Sequence, residues 1–407
     1  MLDGKQTPEE AGEWVSAIPT WKAYGVVGID ATADAARAES ATPKCPDRWA
    51  GPCGGWGLTL GSVMPGGDRL YRDLREVLVP GAGVEDTGAA LSHVVAPVVA
   101  HDALRLVVMN PSLGVGSTAL GFWHGYGPDL GRELMTIGSR GANYPQLARL
   151  ARQNVPVLVA DRRFRPSAYD RLLARYGVGE ELCLVLRDAR GVWGLLGLLR
   201  AAGGRAFDTD DRHRIAAVGP PLIAAVRGYV TTGPIAPTGR GLPPGMLVVD
   251  AEGKIAAMTP QARQRQALMA QQQGAPDWLI EYCYASLSFE AREHARDPRR
   301  RYPRVCTPSI VHGEWTAIEA QPLGDEGDVA IVIQRATGEL LVPAFCDWYG
   351  ITTREQQVVR HLQDGTAPKQ IARLLDLSVH TVNDHLRAIF RKTGASGRDE
   401  LMAAITA

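Results

Sequence analysis

Residues Ile351 to Ala407 read ITTREQQVVRHLQDGTAPKQIARLLDLSVHTVNDHLRAIFRKTGASGRDELMAAITA, four short helical patterns with a tight break between the second and third. The first opens at Thr352, an N-cap residue type, with Glu355 three positions on, which is the spacing of a capping box. Val358, Val359 and Leu362 then mark one apolar stripe, and Gly365 stops the helix. The second begins at Pro368, suited to a first helical turn, and buries Ile371, Ala372 and Leu375. Asp376 and Leu377 form the short turn, and Ser378 caps the third pattern.

At about 100° per residue, Val382, Leu386, Ile389 and Phe390 of the third helix fall on one side and must face the first two helices. His380, Asp384, Arg387 and Arg391 fall on the opposite side, with Thr381 and Ala388 beside them. His385 and Lys392 occupy one flank and Asn383 the other. Donors, an acceptor and a small methyl on one exposed face match what a DNA major groove offers. Ser396, with Asp399 three residues later, is expected to cap a fourth helix displaying Leu401, Met402 and Ile405.

These residues resemble the LuxR-type helix-turn-helix domain of bacterial transcription regulators. The family's LTxRE opening corresponds to Ile351, Thr352, Thr353, Arg354 and Glu355, and its EIA to Gln370, Ile371 and Ala372. Its recognition-helix pattern corresponds to Ser378, Thr381, Val382 and His385, and its closing pattern to Ile389, Lys392, Gly394, Ser396, Arg398, Glu400 and Leu401. Gln370 departs from the usual glutamate and Asn383 from a frequent basic residue. The resemblance implies that Lys369, Thr381, Arg391 and Lys392 mainly hold phosphates and that His380, Asn383, Asp384 and Arg387 mainly read bases. Ser378, Val382 and His385 complete the expected DNA-binding set. It also implies a homodimer formed through the fourth helix, with Leu401, Met402 and Ile405 at the contact, on half-sites about 10 bp apart.

Charge separates DNA binding from a helical module that binds protein. Residues 351–398 hold eight Lys/Arg and four Asp/Glu, whereas the whole chain has 44 of each and is formally neutral. Basic charge is thus local to this unit. Asp384 is awkward beside phosphate; it either accepts from a cytosine amine or pairs with Arg387 or Arg391, and pairing is the simpler reading.

The chain has 407 residues, enough for two or three domains, and 45% hydrophobic content supports real cores. No run of 18 apolar residues occurs, and the N-terminus lacks the basic start and apolar stretch of a signal peptide, so a cytoplasmic protein without a membrane partner is expected. The six cysteines, at 45, 53, 183, 283, 306 and 346, form no metal-ligand spacing. Reduced, buried thiols are expected, with Cys183 and Cys306 the first to test for redox sensing.

Residues 1–66 are rich in Gly, Pro and Trp without clear periodicity and read as a poorly structured segment; Met64 is a candidate translation start. Residues 67–230 alternate helical and strand patterns and read as one α+β domain. Within it, Leu182–Arg187 and Val192–Arg200 form an antiparallel pair, and Asp210–Tyr229 reads as one long helix. Trp193, Gly194, Leu196, Leu198 and Arg200, followed by the acidic cap Asp208 to Asp211, resemble the end of a GAF sensor domain.

A Pro/Gly/Thr-rich linker spans 231–245. Residues 246–336 read as strand, strand, helices and three antiparallel strands, the first of these three over Arg304–Val311, an order that resembles a PAS-type sensor. Residues 337–350 form a connector helix to the DNA-binding unit at 351–407. The expected fold is therefore multidomain: an α+β GAF-like sensor, an α+β PAS-like unit and an all-α, four-helix LuxR-type helix-turn-helix.

Gly114, Gly116 and Ala119 make a faint dinucleotide fingerprint that a turn between strands explains better. There is no GxxxxGK[ST], GxSxG or HExxH. The basic run Asp297 to Arg304 offers contact with DNA or an anionic ligand, and a solvated loop is the simpler reading. A sequence-specific, non-enzymatic transcription regulator is expected, with double-stranded DNA as partner, no cofactor, and RNA polymerase as a further candidate partner. A small-molecule effector of unknown identity is left open, against a scaffold whose sensor units bind only protein.

Overall fold

The computed structural model describes residues 67–113, 118–139, 149–159, 168–233, 235 and 241–406. The segment 1–66, Gly114 and Gly116, and residues 234 and 236–240 of the linker lie outside the described residues.

Helices α1 (Gly67–Val77) and α2 (Val84–Val95) lead into β1 (Ala103–Met109) and β2 (Thr118–His124). Then come α3 (Pro128–Ser139), β3 (Val157–Val159), α4 (Ala168–Arg175) and the hairpin β4 (Val178–Asp188) to β5 (Gly191–Ala201). The sheet order is β2-β1-β5-β4-β3, antiparallel throughout. Alternation places Leu104, Leu106 and Val108 of β1, with Leu184 and Leu196, in the main core. The opposite face carries Arg105, whose guanidinium meets Glu181 at 2.8 Å and Tyr169 at 3.1 Å; Tyr169 also donates to Glu181. A buried charge is tolerable only when paired in this way.

Gly194 and Arg200 of β5 have physical reasons for their identity. Gly194 has φ +151°, and a Cβ there would lie 2.1 Å from the Val107 carbonyl oxygen, so the two strands can run this close only over a glycine. Arg200 donates to the Ala100 carbonyl at 2.8 Å and to Asp211 at 3.1 Å, with its guanidinium 3.9 Å above the Phe207 ring. Asp208 and Asp211 cap one another across the start of α5 (Thr209–Ala216). Burial opposes the charge on Asp211, but donors from Arg214, the Asp208 amide and Arg200 hold its carboxyl below the usual aspartate range.

The single helix expected over Asp210–Tyr229 is two, α5 and α6 (Gly219–Val230). Pro220 and Pro221 have no N–H to return to the preceding turn, so the helix stops and restarts with proline in its first turn.

The second sheet contains β6 (Gly245–Val249), β7 (Ile255–Met258), β8 (Arg304–Thr307), β9 (Thr316–Leu323) and β10 (Asp328–Arg335), with α7 (Pro260–Gln273) and α8 (Asp277–Arg296) between β7 and β8. Its order, β7-β6-β10-β9-β8, repeats that of the first sheet: second, first, fifth, fourth, third. The strand expected over Arg304–Val311 ends at Thr307, because Pro308 cannot donate to a ladder and instead precedes the short helix α9 (Ser309–His312). The described end of the linker is not free. Arg265, 1% exposed, donates to the Leu242 carbonyl at 2.6 Å and the Pro243 carbonyl at 3.2 Å while pairing with Glu314 at 2.9 Å.

Helix α10 (Gly338–Trp348) follows, then α11 (Thr353–Gln363), α12 (Pro368–Leu374), α13 (Val379–Thr393) and α14 (Arg398–Thr406). One hydrophobic core runs without a break from the first sheet through Phe345 and Trp348 to Val358, Ile371, Val382 and Ile389. Around Trp348, Arg190 donates to the Ile351 carbonyl at 3.0 Å, Asp347 accepts from the Ser112 amide at 2.9 Å, and Arg227 donates to the Trp348 carbonyl at 3.2 Å.

Cys183 and Cys306 are buried and each thiol is pushed up to about 12 by that burial, the reverse of the lowered pKa a reactive thiolate needs. Among the described residues, no group of three or more His, Cys, Asp and Glu could hold a metal, and no helix is long and apolar enough to cross a membrane.

Candidate nucleic-acid interface

The interface is built from the caps upward. The Thr352 hydroxyl accepts from the Glu355 amide at 3.3 Å, and the Glu355 carboxylate accepts from the Thr352 amide at 2.7 Å, so both halves of the box on α11 are present. Gln370 accepts from the Ala367 amide at 3.3 Å on α12, keeping the cap's acceptor without the charge of a glutamate. Between α12 and α13, Asp376 adopts φ +53°, a conformation aspartate tolerates better than most residues, and the Leu377 amide closes the helix end on the Ala372 carbonyl at 2.8 Å.

Sequence reasoning passed over Arg354 as an individual contributor. It reaches from α11 to the Leu375 carbonyl at 2.7 Å and fixes the turn that sets the angle of α13. Its signal was its place in the LTxRE opening, which says that arginine is used there and not what it touches.

Ser378 accepts from the Thr381 amide at 3.0 Å, and the two hydroxyls lie 2.9 Å apart, so the N-cap of α13 is Ser378 and it engages Thr381, one of the expected phosphate contacts. Val382 and Ile389 are fully buried and Leu386 and Phe390 pack beside them. Val382 therefore leaves the DNA-contact set: its side chain faces the core, as its position on the apolar stripe requires. His380, Asp384, Arg387 and Arg391 are exposed on the other side, and Asn383 and His385 are half-buried on its flanks. Lys369 is exposed in the first turn of α12.

Within the exposed set, Asp384 accepts from Arg387 at 2.8 Å and lies 3.5 Å from the His380 ring nitrogen. In the free protein, Asp384 thus pairs with a neighbour on its own helix. Lys392 is also engaged: its ammonium meets the buried Glu355 carboxylate at 2.5 Å, which joins the C-terminal half of α13 to the cap of α11. Burial would raise the Glu355 pKa, but Lys392 and the Thr352 amide hold it below the usual glutamate range. Gly394, at φ +75°, then ends α13.

The fourth helix differs from expectation at both its cap and its apolar stripe. Ser396 donates through its amide at 2.7 Å and its hydroxyl at 2.6 Å to Glu400, not to Asp399, because α14 begins at Arg398 and leaves Ser396 one residue outside the cap position. Leu401 and Ile405 are fully buried inside the same chain, on the side of α14 that packs toward α10 and α11; of the three expected dimer residues only Met402 is partly exposed.

Residues 350–405 match the family model described as "Bacterial regulatory proteins, luxR family". The Monoamine regulon transcriptional regulator of Klebsiella aerogenes is 43% identical over 53 residues, which are 13% of this chain and 23% of that protein. The chain thus spans about a quarter of the length of the curated relative it matches. Among solved structures, Escherichia coli SdiA is similar at a TM-score of 0.29 and 11% identity, over 84% of this chain and 90% of that one. SdiA in complex with octanoyl-rac-glycerol is similar at a TM-score of 0.27 and 11% identity, over 84% of this chain and 88% of that one. Likeness that loose bears on neither the sheets nor the ligand of this chain. With its caps, turn and helix faces in place, the C-terminal unit of this chain is a four-helix helix-turn-helix module similar to the luxR family of bacterial regulatory proteins.

Proposed function

We propose that this chain is a cytoplasmic, non-enzymatic transcription regulator that binds specific double-stranded DNA through α13 and is controlled by its two sheet units. The observation that carries this reading is the exposed face of α13. His380, Asp384, Arg387 and Arg391 stand along one side of a helix capped at both ends and clamped by a buried opposite side. A face of this composition pairs base-edge donors and acceptors with phosphate-seeking charge.

The two sheet units act as GAF-like and PAS-like sensors. Their shared second-first-fifth-fourth-third strand order supports treating them as two sensors of one design. The regulator works as a homodimer on half-sites about 10 bp apart, with the contact centred on the exposed part of α14, where Met402 is half-buried, and RNA polymerase is the partner through which it acts.

The test is selection of genomic fragments on the purified full-length chain, followed by affinity measurements on a recovered site and a scrambled one at several salt concentrations. The reading expects preference for the recovered site and weakening of both complexes as salt rises. Equal affinity for all duplexes, or none for any, sinks it.

A further inference from the structure

An apolar cavity of about 70 Å³ lies between the two sheet units. One wall is Val107 of β1 with Ala119 and Trp123 of β2; the other includes Leu279, Cys283 and Ser286 of α8. Among the described residues, no Asp, Glu, Lys, Arg or His lines it. Two of the lining residues carry polar atoms that no group among the described residues satisfies: the Trp123 indole nitrogen and the Ser286 hydroxyl, in residues 4% and 5% exposed. Buried polar atoms are nearly always paired, so two orphans around one cavity mark a place where a partner is missing.

We propose that this cavity is an effector site for a small, neutral, mostly hydrocarbon molecule carrying one carbonyl or ether oxygen. The inference rests on reading the chain as a signal-controlled regulator. Each chemical requirement has its own source. An indole N–H is a donor only, so the ligand must bring an acceptor. A wall without charged groups leaves an ion unpaired, which excludes carboxylates and amines. The Cys283 thiol, pushed up to about 12 by burial, adds no charge. The volume is about half that of the roughly 150 Å³ engineered cavity that takes benzene, which limits the ligand to a few heavy atoms. Because the walls come from both units, an occupant stabilises the contact between them and so biases whatever depends on it.

Saturation-transfer NMR of 2-butanone with the full-length, DNA-free protein tests this, with propionate as the charged molecule of nearly the same shape. Butanone should show saturable transfer and propionate none. Trp123→Phe and Ser286→Ala should each weaken butanone several-fold. Cys283→Met fills the cavity and should abolish transfer; Ala119→Leu fills it from the other wall and decides the matter if Cys283→Met does not fold. No saturable butanone signal, equal signal from propionate, or full signal in a folded cavity-filling variant overturns the proposal. DNA affinity is measured separately, so failure here leaves the DNA reading intact, and failure of DNA binding leaves the butanone result standing.

Discussion

Trp193 of β5 and Trp348 of α10 meet edge to face, with ring centroids 5.1 Å apart and planes inclined at 69°. Both indoles are buried, and the Arg227 guanidinium lies 5.4 Å from the centre of the Trp193 ring. The pair joins the end of the first sheet to the helix that leads into the DNA-binding unit.

Truncating this contact should uncouple the two. Trp348→Ala is expected to cost about 3–5 kcal/mol, as large buried aromatics do. A cycle with Trp193→Phe and Trp348→Phe should return a coupling of about 0.5–1.5 kcal/mol. Denaturant titration followed by circular dichroism measures both; strict additivity would remove the pair from the joint.

Lys392 and Arg391 are adjacent in sequence and should behave differently. Arg391 is exposed, whereas Lys392 is held by Glu355. Arg391→Ala should lower the slope of log affinity against log salt by about one unit. Lys392→Met should leave the slope unchanged and lower the melting temperature of the full chain, because it strands the buried Glu355 carboxylate. Salt titrations of both variants beside their melting curves separate the two roles.

Arg387 and Asp384 make an intrahelical pair that binding would have to reorganise. Arg387→Ala should cost about 1–3 kcal/mol on the selected site and less on scrambled DNA if Arg387 reads a base. Asp384→Asn should tighten scrambled DNA, because it removes a carboxylate from the phosphate side and frees Arg387. Fluorescence anisotropy on both duplexes reads the difference; equal losses on the two sites would make Arg387 a phosphate contact.

Acid should weaken the fold through two carboxylates. Asp211 and Glu355 both titrate below their ordinary range in the folded chain, so the unfolded chain binds their protons first as pH drops. Their contribution is complete above about pH 4, the ordinary carboxylate region, and is lost as pH falls through the lowered values. Melting temperature from pH 6 to pH 3 should therefore fall, and Asp211→Asn should flatten that fall while lowering stability at pH 6. An unchanged slope in the variant would remove Asp211 from the account.

Gly194→Ala tests the close crossing of β5 over β1. The added methyl would meet the Val107 carbonyl oxygen at 2.1 Å and the backbone would remain at φ +151°. Loss of folded protein at 37 °C is expected, against little change for Gly228→Ala, an exposed helical position where nothing lies within 4 Å of the added atom. Expression and melting curves of the two variants give the comparison.

Local signals in the sequence carried much of this. Caps at Thr352 and Ser378, the glycine stop at Gly365 and the helical period of Val382, Leu386 and Ile389 are all written in neighbouring residues, and the helices form where those residues ask. Pro220 and Pro221 carried a local signal too, but the apolar period across them outweighed it in the reading. What local patterns cannot carry is the partner across space. Nothing near Lys392 announces Glu355, 37 residues away, and nothing in the linker announces that Arg265 will hold Leu242 and Pro243. The apolar stripe of α14 has the same limit: Leu401 and Ile405 read equally well as a dimer face or as core, and only the position of α10 and α11 decides.

Arg190 sits in the β4–β5 turn, where its amide donates to Asp188 at 2.7 Å, and its guanidinium holds the backbone of Ile351, the residue just before the Thr352 cap. The first sheet is consequently tied directly to the start of α11. A swing of the C-terminal unit away from the first sheet must release Ile351 from Arg190, and one that carries α10 with it must also part Trp348 from Trp193, leaving an exposed indole as its spectroscopic flag.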